Sequence, residues 1–406
     1  MAANTRQPID IDSAASQCQK VLGYIEKYRA DAKEIDRERA VEAAAVLVRL
    51  LEQPADAIYK LFLSPTILMA VKTASDLGIF SRLCDGDAFV TCKELATPKG
   101  ADVQLIERIM RALVCSGFAA ERGPGQYMPT RRSKAMTART VIGLMDSLFV
   151  DFLPIIHKTP EFLRETDYRN PEDPTHGPLQ YTHKTTSTTW DWLSKRPAAL
   201  DRFNSFMEGN RAGRSHWAEW FPVQERLLDG AVVNKSPLLV DIAGGRGHDL
   251  IKFKQRFPGP HGDLVLEELP AVIDDISNLD EDLRRVKHDF FQPQPIKGAR
   301  VYYMKHVMHD WSDGNCRIIL GHVVDAMERG YSKLLIEEHI LPDQHAKELE
   351  TLRDLIVMVW CPGNERTRQR WTELLESVGL EIQNFWLPDG FGTGIVEAVL
   401  KDDRRA

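Results

Sequence analysis

The segment Val301-Tyr302-Tyr303-Met304-Lys305-His306-Val307-Met308-His309-Asp310-Trp311-Ser312-Asp313 holds the residue types of this chain that most directly suggest chemistry. An apolar, strand-like run ends in a lysine, and two imidazoles and a carboxylate follow. Histidine titrates near neutrality, so an imidazole at a strand end suits proton removal from a weak acid such as a phenol, whose pKa is about 10. A carboxylate bonded to the far ring nitrogen would fix the tautomer and stabilise the imidazolium as it forms. His306 and His309 do not have the i, i+4 helical spacing of a metal site, and neither a cysteine nor a third histidine stands nearby in sequence. No metal is expected.

A second chemical signal is Val240-Asp241-Ile242-Ala243-Gly244-Gly245-Arg246-Gly247-His248-Asp249. Glycines between a strand and a helix let a ligand approach the backbone, and the helix N-terminus offers free N–H groups. A nicotinamide-binding fingerprint is the competing reading, but Leu250 stands where that motif wants a third small residue. The next strand-like run ends in Glu267-Glu268-Leu269-Pro270. Glu268 lies 268 − 247 = 21 positions after Gly247, a spacing at which a carboxylate can reach the hydroxyls of a bound ribose. Glu267, its neighbour in a strand, points to the opposite face. Asp289-Phe290 could hydrogen-bond an adenine amino group and cover its face; a helix cap plus core packing is the alternative for that pair.

These segments need a scaffold. Strand-like runs at Leu238 to Ala243, Asp263 to Leu269, Arg300 to Met304 and Lys333 to Ile340 alternate with helical stretches, which implies a parallel sheet covered on both faces. Two further runs, Glu381 to Leu387 and Gly394 to Leu400, are joined by Pro388-Asp389-Gly390 and must be antiparallel. A doubly wound, Rossmann-like α/β sheet ending in an antiparallel hairpin is the class I methyltransferase arrangement. Upstream, residues 13–130 read as mostly helical. Pro54 ends a helix over Val41 to Leu51, a second apolar helix spans Pro65 to Phe80, and Thr91-Cys92-Lys93-Glu94 has the form of a capping box. A helix at Val103 to Ser116 and a turned hairpin around Glu121 to Gly125 complete a winged-helix pattern. Winged helices often bind DNA, but the helix that would enter the groove carries Glu107 and the net charge is −7, so dimerisation is expected and nucleic acid is not. The expected division is 1–140 (helical dimerisation domain), 141–225 (helical connector) and 226–406 (cofactor-binding domain). Aromatic residues concentrate in the connector, Trp190 among them; most belong to a core, yet such rings also make walls for a flat ligand.

The glycine turn, Glu268-Leu269-Pro270, Asp289-Phe290, His309-Asp310-Trp311, Glu338-His339-Ile340-Leu341-Pro342 and Glu365-Arg366-Thr367 stand in one order. With these motifs the chain resembles the plant and fungal small-molecule O-methyltransferases, the fungal secondary-metabolite branch above all. The resemblance covers the C-terminal half closely and the N-terminal half by architecture. It implies S-adenosylmethionine as cofactor, Asp241, Gly244 and Gly245 at its site, Glu268 on the ribose, Asp289 and Phe290 on the adenine, and Lys305 at the cofactor's amino-acid end or on nearby polar groups. It implies His309 as general base, flanked by Glu338 and Glu365, and Met207 near the reacting methyl group. Cys361 takes a position where plant members often carry an asparagine that contacts the acceptor. Ala243 replaces a common glycine, and Glu268 the usual aspartate. A homodimer acting on a phenolic hydroxyl is the expectation; the alternative is a relative that keeps the cofactor but catalyses a dehydration or pericyclic reaction.

None of the six cysteines forms a C-x-x-C pair, and scattered thiols suit a reducing compartment. The polar start, Met1 to Ser13, lacks a signal-like apolar run, and the stretch Val141 to Ile156, interrupted by Asp146 and Asp151, is too short to span a bilayer. The expected location is the cytosol, with no membrane partner.

Overall fold

The computed structural model describes residues 8–211, 215–232, 237–259, 262–276, 280–389 and 392–402. The chain divides into two compact units: residues 1–151 with 196–212, and residues 152–195 with 213–406. The stretch 141–225, expected as one connector, contributes to both.

The first unit opens with helices Ile11–Asp31 and Glu34–Leu51, which pack side by side, Gln17 donating to the carbonyl of Ala43 at 2.9 Å. Pro54 does separate two helices, but by starting one. It occupies the first turn of a continuous helix, Pro54–Asp76, where its missing N–H costs nothing, and Pro65 lies inside that helix rather than at the head of the next. The capping box at Thr91 forms as expected, with Glu94 and Thr91 bonding each other's backbone N–H. Strands β1 (Val90–Thr91), β2 (Ala120–Gly123) and β3 (Gln126–Met128) make an antiparallel sheet in the order β1-β3-β2. Helix Val103–Cys115 turns Ile106, Ile109, Met110 and Leu113 into the core against this sheet. Two helical runs, Pro54–Asp76 and Arg139–Glu165, are long and apolar enough to cross a membrane by length and composition alone. The stretch at 141–156, expected to be too short, gains that length by continuing as helix to Glu165. Its two acids are engaged within the protein: Asp151 is buried and pairs with Arg202 at 2.6 and 2.8 Å, and Asp146 faces Lys72 at 3.2 Å.

The second unit is built on β4 (Leu239–Ile242), β5 (Leu264–Glu268), β6 (Leu283–Lys287), β7 (Val301–Lys305), β8 (Lys333–Glu338), β9 (Ile340–Leu341), β10 (Arg366–Thr367), β11 (Leu380–Trp386) and β12 (Gly394–Leu400). Seven of them form one sheet in the order β11-β12-β8-β7-β4-β5-β6, and β9 pairs with β10 in parallel. In this sheet only β12 is reversed, pairing antiparallel with both β11 and β8, so β11 and β12 form the hairpin that the sequence reading required; Gly390 of its expected turn lies outside the described residues. Side chains alternate between two cores. Val240, Ile242, Tyr302, Met304, Leu334 and Ile336 face one side, while Leu239, Val301, Tyr303 and Leu335 face Trp217 and Phe253 on the other. Strand β6 is absent from the sequence reading because, as an edge strand, it exposes Arg284, Arg285 and Lys287. From central β4 the chain runs outward through β5 and β6, then crosses back to β7 on the other side. That reversal opens a crevice at the carboxyl ends of β4 and β7, where open α/β sheets hold their ligands.

Candidate active site

At the carboxyl end of β4 the backbone itself makes room. A Cβ on Gly244 would lie 2.5 Å from the Asp241 carboxylate and 2.6 Å from Leu266, so no larger residue fits. Ala243 and Gly245 both have φ near +59°, and Gly247, at +75°, caps helix His248–Arg256. The common glycine at position 243 thus has a conformational reason, and Ala243 adopts the left-handed region at a cost of about 1 kcal/mol. Glu268 accepts from the Gly245 amide at 3.3 Å and from the Leu269 amide at 2.7 Å, which brings its carboxylate to the glycine turn. Glu267 faces away as expected and is buried against Gln294 at 2.8 Å; burial pushes its carboxyl up to about 7. Asp241 is buried, one carboxylate oxygen makes no hydrogen bond among the described residues, and burial, followed by the charge of Asp249, drives its carboxyl well up. Such an orphan acceptor beside a glycine cradle is what a cofactor carrying N–H or O–H groups would satisfy.

Lys305, at the end of β7, binds Asp249 at 2.9 Å and faces Glu337 at 3.3 Å, and Asp249 also meets His216 at 2.9 Å. Burial opposes the Asp249 charge, but His216 and Lys305 outweigh it and hold its carboxyl far below the usual range. The sequence reading missed Asp249, His216 and Glu337, although Asp249 stood inside the quoted glycine motif. Asp289 is exposed and caps the following turn, accepting from the Phe291 amide at 3.0 Å. Phe290 packs by its ring against Phe291 and edge-on to Trp311.

Past Lys305 the chain turns through His306 at φ +52° into a 3-10 turn, Met308–Asp310. This turn is shaped by Glu338, fully buried at the end of β8, whose Oε1 accepts from the amides of Val307 and Met308 at 3.0 Å and His309 at 3.4 Å. The His309 ring then meets Glu365, just before β10, with Nδ1 3.0 Å from Oε1. Glu338 Oε2 lies 3.7 Å from the same nitrogen, and Asp310 Oδ1 3.5 Å from Nε2. Both expected carboxylates therefore flank His309, Glu365 through its side chain and Glu338 chiefly through the backbone. Burial alone would lower the His309 pKa; the charges of Glu338, Asp310 and Glu365 overturn that and hold it well above 6.5. Burial opposes the Glu338 charge too, but His309, His306 and the His309 backbone amide keep its carboxyl below the ordinary value.

Arg366 ties these pieces together. Its buried guanidinium donates to the carbonyls of Met308 at 2.8 Å and Trp311 at 2.9 Å and to Asp313 at 2.9 Å, clasping both ends of the His309 turn from the strand that carries Glu365. Cys361 is buried, and its thiol donates to Asp310 at 3.2 Å, so it is engaged within the protein. Burial, then Asp310, pushes that thiol well above its ordinary pKa, and burial raises the Asp310 carboxyl to about 6. Trp190 packs against the core that contains Met308 and Trp311, and its neighbour Thr189 donates to the Trp360 carbonyl at 2.7 Å. Met207 belongs to helix Pro197–Arg211 of the first unit. The second unit by itself carries every other expected site residue.

Beside His306 and His309 the fold brings Glu338 from the neighbouring strand β8. His306, His309 and Glu338 each place a ligand atom within 4.8 Å of the others.

A doubly wound sheet with a glycine cradle at its switch point and a carboxylate-flanked imidazole in the turn after the adjoining strand defines an S-adenosylmethionine-dependent methyltransferase. The chain belongs to the O-methyltransferase family: its models match residues 206–381 as the O-methyltransferase domain and 59–139 as the O-methyltransferase dimerisation domain. The O-methyltransferase penC of Penicillium thymicola is 38% identical over 89% of this chain and 91% of its own length. The O-methyltransferase asqD of Emericella nidulans is 36% identical over 83% and 87%. Among solved structures, LepI in complex with S-adenosylmethionine is similar at TM-score 0.84 and 23% identity, over 96% of this chain and all of its own. OxaC with sinefungin and meleagrin is similar at 0.81 and 25%, over 96% and 99%.

Proposed function

We propose that this enzyme methylates a phenolic hydroxyl of a small secondary metabolite such as an aromatic polyketide, with His309 as general base and two copies forming the working unit. The observation that carries the reading is the 3.0 Å contact between His309 Nδ1 and Glu365. With the ring neutral, that contact leaves Nε2 to accept a proton and places a carboxylate where the imidazolium charge appears. Bound S-adenosylmethionine supplies a methyl group already activated on a sulfonium. The residues' part is to hold the acceptor oxygen in line and take its proton, a contribution of about 10²–10⁴-fold. Asp241, Gly244, Gly245 and Glu268 would line the cofactor, with Asp289 and Phe290 at its adenine. Lys305 acts at one remove by fixing Asp249, and Trp190 and Met207 are proposed acceptor walls.

The dimer rests on the matched dimerisation domain and on helix Pro54–Asp76, which exposes Ile58, Tyr59, Leu61 and Phe62 by 64% or more. We read the three-stranded sheet and its helices as a winged-helix type module that serves this association, in a cytosolic enzyme with neither membrane nor nucleic acid as partner.

The test is to incubate protein, S-adenosylmethionine and a panel of phenols and follow S-adenosylhomocysteine. Product should form in step with the methyl ether, and His309→Gln should abolish turnover while leaving cofactor affinity within about twofold. Conversion of an acceptor without S-adenosylhomocysteine would replace this reading with the non-methylating one. Loss of cofactor binding along with turnover would make His309 structural.

A further inference from the structure

We propose that His306, His309 and Glu338 also form an inhibitory site for a borderline divalent cation of the zinc type. Their facing atoms are already close to coordination distances. Glu338 Oε2 is 3.5 Å from His306 Nδ1 and 3.7 Å from His309 Nδ1. Ligand atoms on a tetrahedral ion with bonds of about 2.0–2.1 Å stand roughly 3.3–3.4 Å apart, so two edges of the polyhedron need only a few tenths of an ångström.

Glu338 Oε2 and His306 Nδ1 are buried and face each other at 3.5 Å, too far apart for a hydrogen bond, and no other group hydrogen-bonds either atom among the described residues. A buried carboxylate oxygen without a hydrogen bond is costly, and a cation would relieve both groups at once. The ligands are also held in advance. Three backbone amides fix the other Glu338 oxygen, and the His306 ring sits between those of His309 and His339, at 5.3 and 5.7 Å. The surrounding charge points the same way, since Glu365 and Asp310 flank His309 within 3.5 Å and bring the local carboxylates to three. Two imidazoles and one carboxylate form a ligand set that selects zinc, nickel or copper over calcium or magnesium, which want more oxygen.

A metal-bound imidazole cannot accept the acceptor's proton, so occupancy and methyl transfer exclude each other. That inhibitory clause rests on His309 being the base; the binding clause does not. The experiment therefore reads binding separately. Chelator-stripped enzyme is titrated with cobalt(II), whose visible absorption reports tetrahedral coordination, and the signal is then displaced with zinc. One cobalt per subunit is expected, with affinity reduced about 100-fold in His306→Asn and in His306→Gln. Methyl transfer should fall in proportion to zinc occupancy and return with chelator. Absence of a tetrahedral cobalt spectrum, or an unchanged one in folded His306→Asn, overturns the site. Cobalt bound at His306 with methyl transfer undiminished keeps the binding site but overturns the inhibition and, with it, the role of His309 as base.

Discussion

Replacing Gly363 by alanine should displace His309, the proposed base, without touching the cofactor site. A Cβ at position 363 would stand 1.8 Å from the carbonyl oxygen of His309 and 2.7 Å from the carbonyl carbons of His309 and Asp310. Real Cβ contacts do not fall below 3.0 Å, and every atom it meets is backbone, so no side chain can swing aside. The two segments must part by about 1.2 Å, the difference between 3.0 and 1.8 Å. The His309 turn is pinned by Glu338 and Arg366, and the 361–365 segment carries Glu365; whichever side yields, the 3.0 Å bond between His309 and Glu365 opens to about 4 Å. A misplacement near 1 Å costs about 10²-fold in turnover, and overpacking adds about 1–3 kcal/mol of destabilisation. The assay is kcat beside the cofactor Kd by calorimetry and Tm by circular dichroism. Gly321→Ala serves as control, because a Cβ there meets nothing within 4 Å. We expect kcat down about 100-fold, cofactor Kd within twofold because the cradle hangs on β4, and a neutral control. A folded Gly363→Ala enzyme within threefold of wild type would refute the reasoning, since the His309–Glu365 contact would then not govern turnover.

Two further outcomes follow from the same geometry. Burial raises the Glu267 carboxyl to about 7, so the folded state holds that proton more tightly than the unfolded one, and stability falls as pH climbs from about 4.5 through 7. Glu267→Gln should therefore raise Tm above pH 7 and change little below pH 4.5, an advantage on the order of 2–3 kcal/mol in thermal melts across pH; equal melting shifts at both ends would remove burial as the cause. Leu61→Glu with Phe62→Glu, on side chains 74% and 76% exposed, should convert a dimer to monomers in sedimentation without lowering Tm by more than a few degrees; a monomeric wild type would contradict the association.

What was legible in the sequence was what depends on local pattern. The switch from helical to alternating strand spacing near Leu238, the capping box at Thr91 and the glycine turn each follow from residue type within a few positions, and each stands in the structure. What was not legible depends on neighbours in space. Strand β6 carries too little apolar character to announce itself, and the pair β9–β10 is two residues long on each side. Pro65 reads as a helix start, yet tertiary packing of Ala70, Val71 and Ala74 carries a single helix through it. Glu338 could be named through the resemblance, but its grip on three amides of the His309 turn arises only once β7 and β8 pair with Lys305 beside Glu337. The third member of the His306, His309, Glu338 cluster is hidden for the same reason, since it comes from the neighbouring strand.

The clamps on His309 divide in a way that separates catalysis from recognition. Glu338 acts from β8, Glu365 and Arg366 from the β9–β10 pair, and all three bind backbone or the inner ring nitrogen. Residues that wall the proposed acceptor site could therefore change without displacing His309. Cys361 is the point where that separation breaks down. Its thiol bonds Asp310, and the same carboxylate oxygen lies 3.5 Å from His309 Nε2, the nitrogen proposed to take the proton. Asparagine at this position could offer an amide to an acceptor oxygen, whereas a buried thiol spends its single proton on Asp310. If the proposed function holds, residue 361 acts on the charge facing His309 as well as on the wall of the acceptor site, and a change of acceptor made there carries a change in the proton affinity of His309 with it.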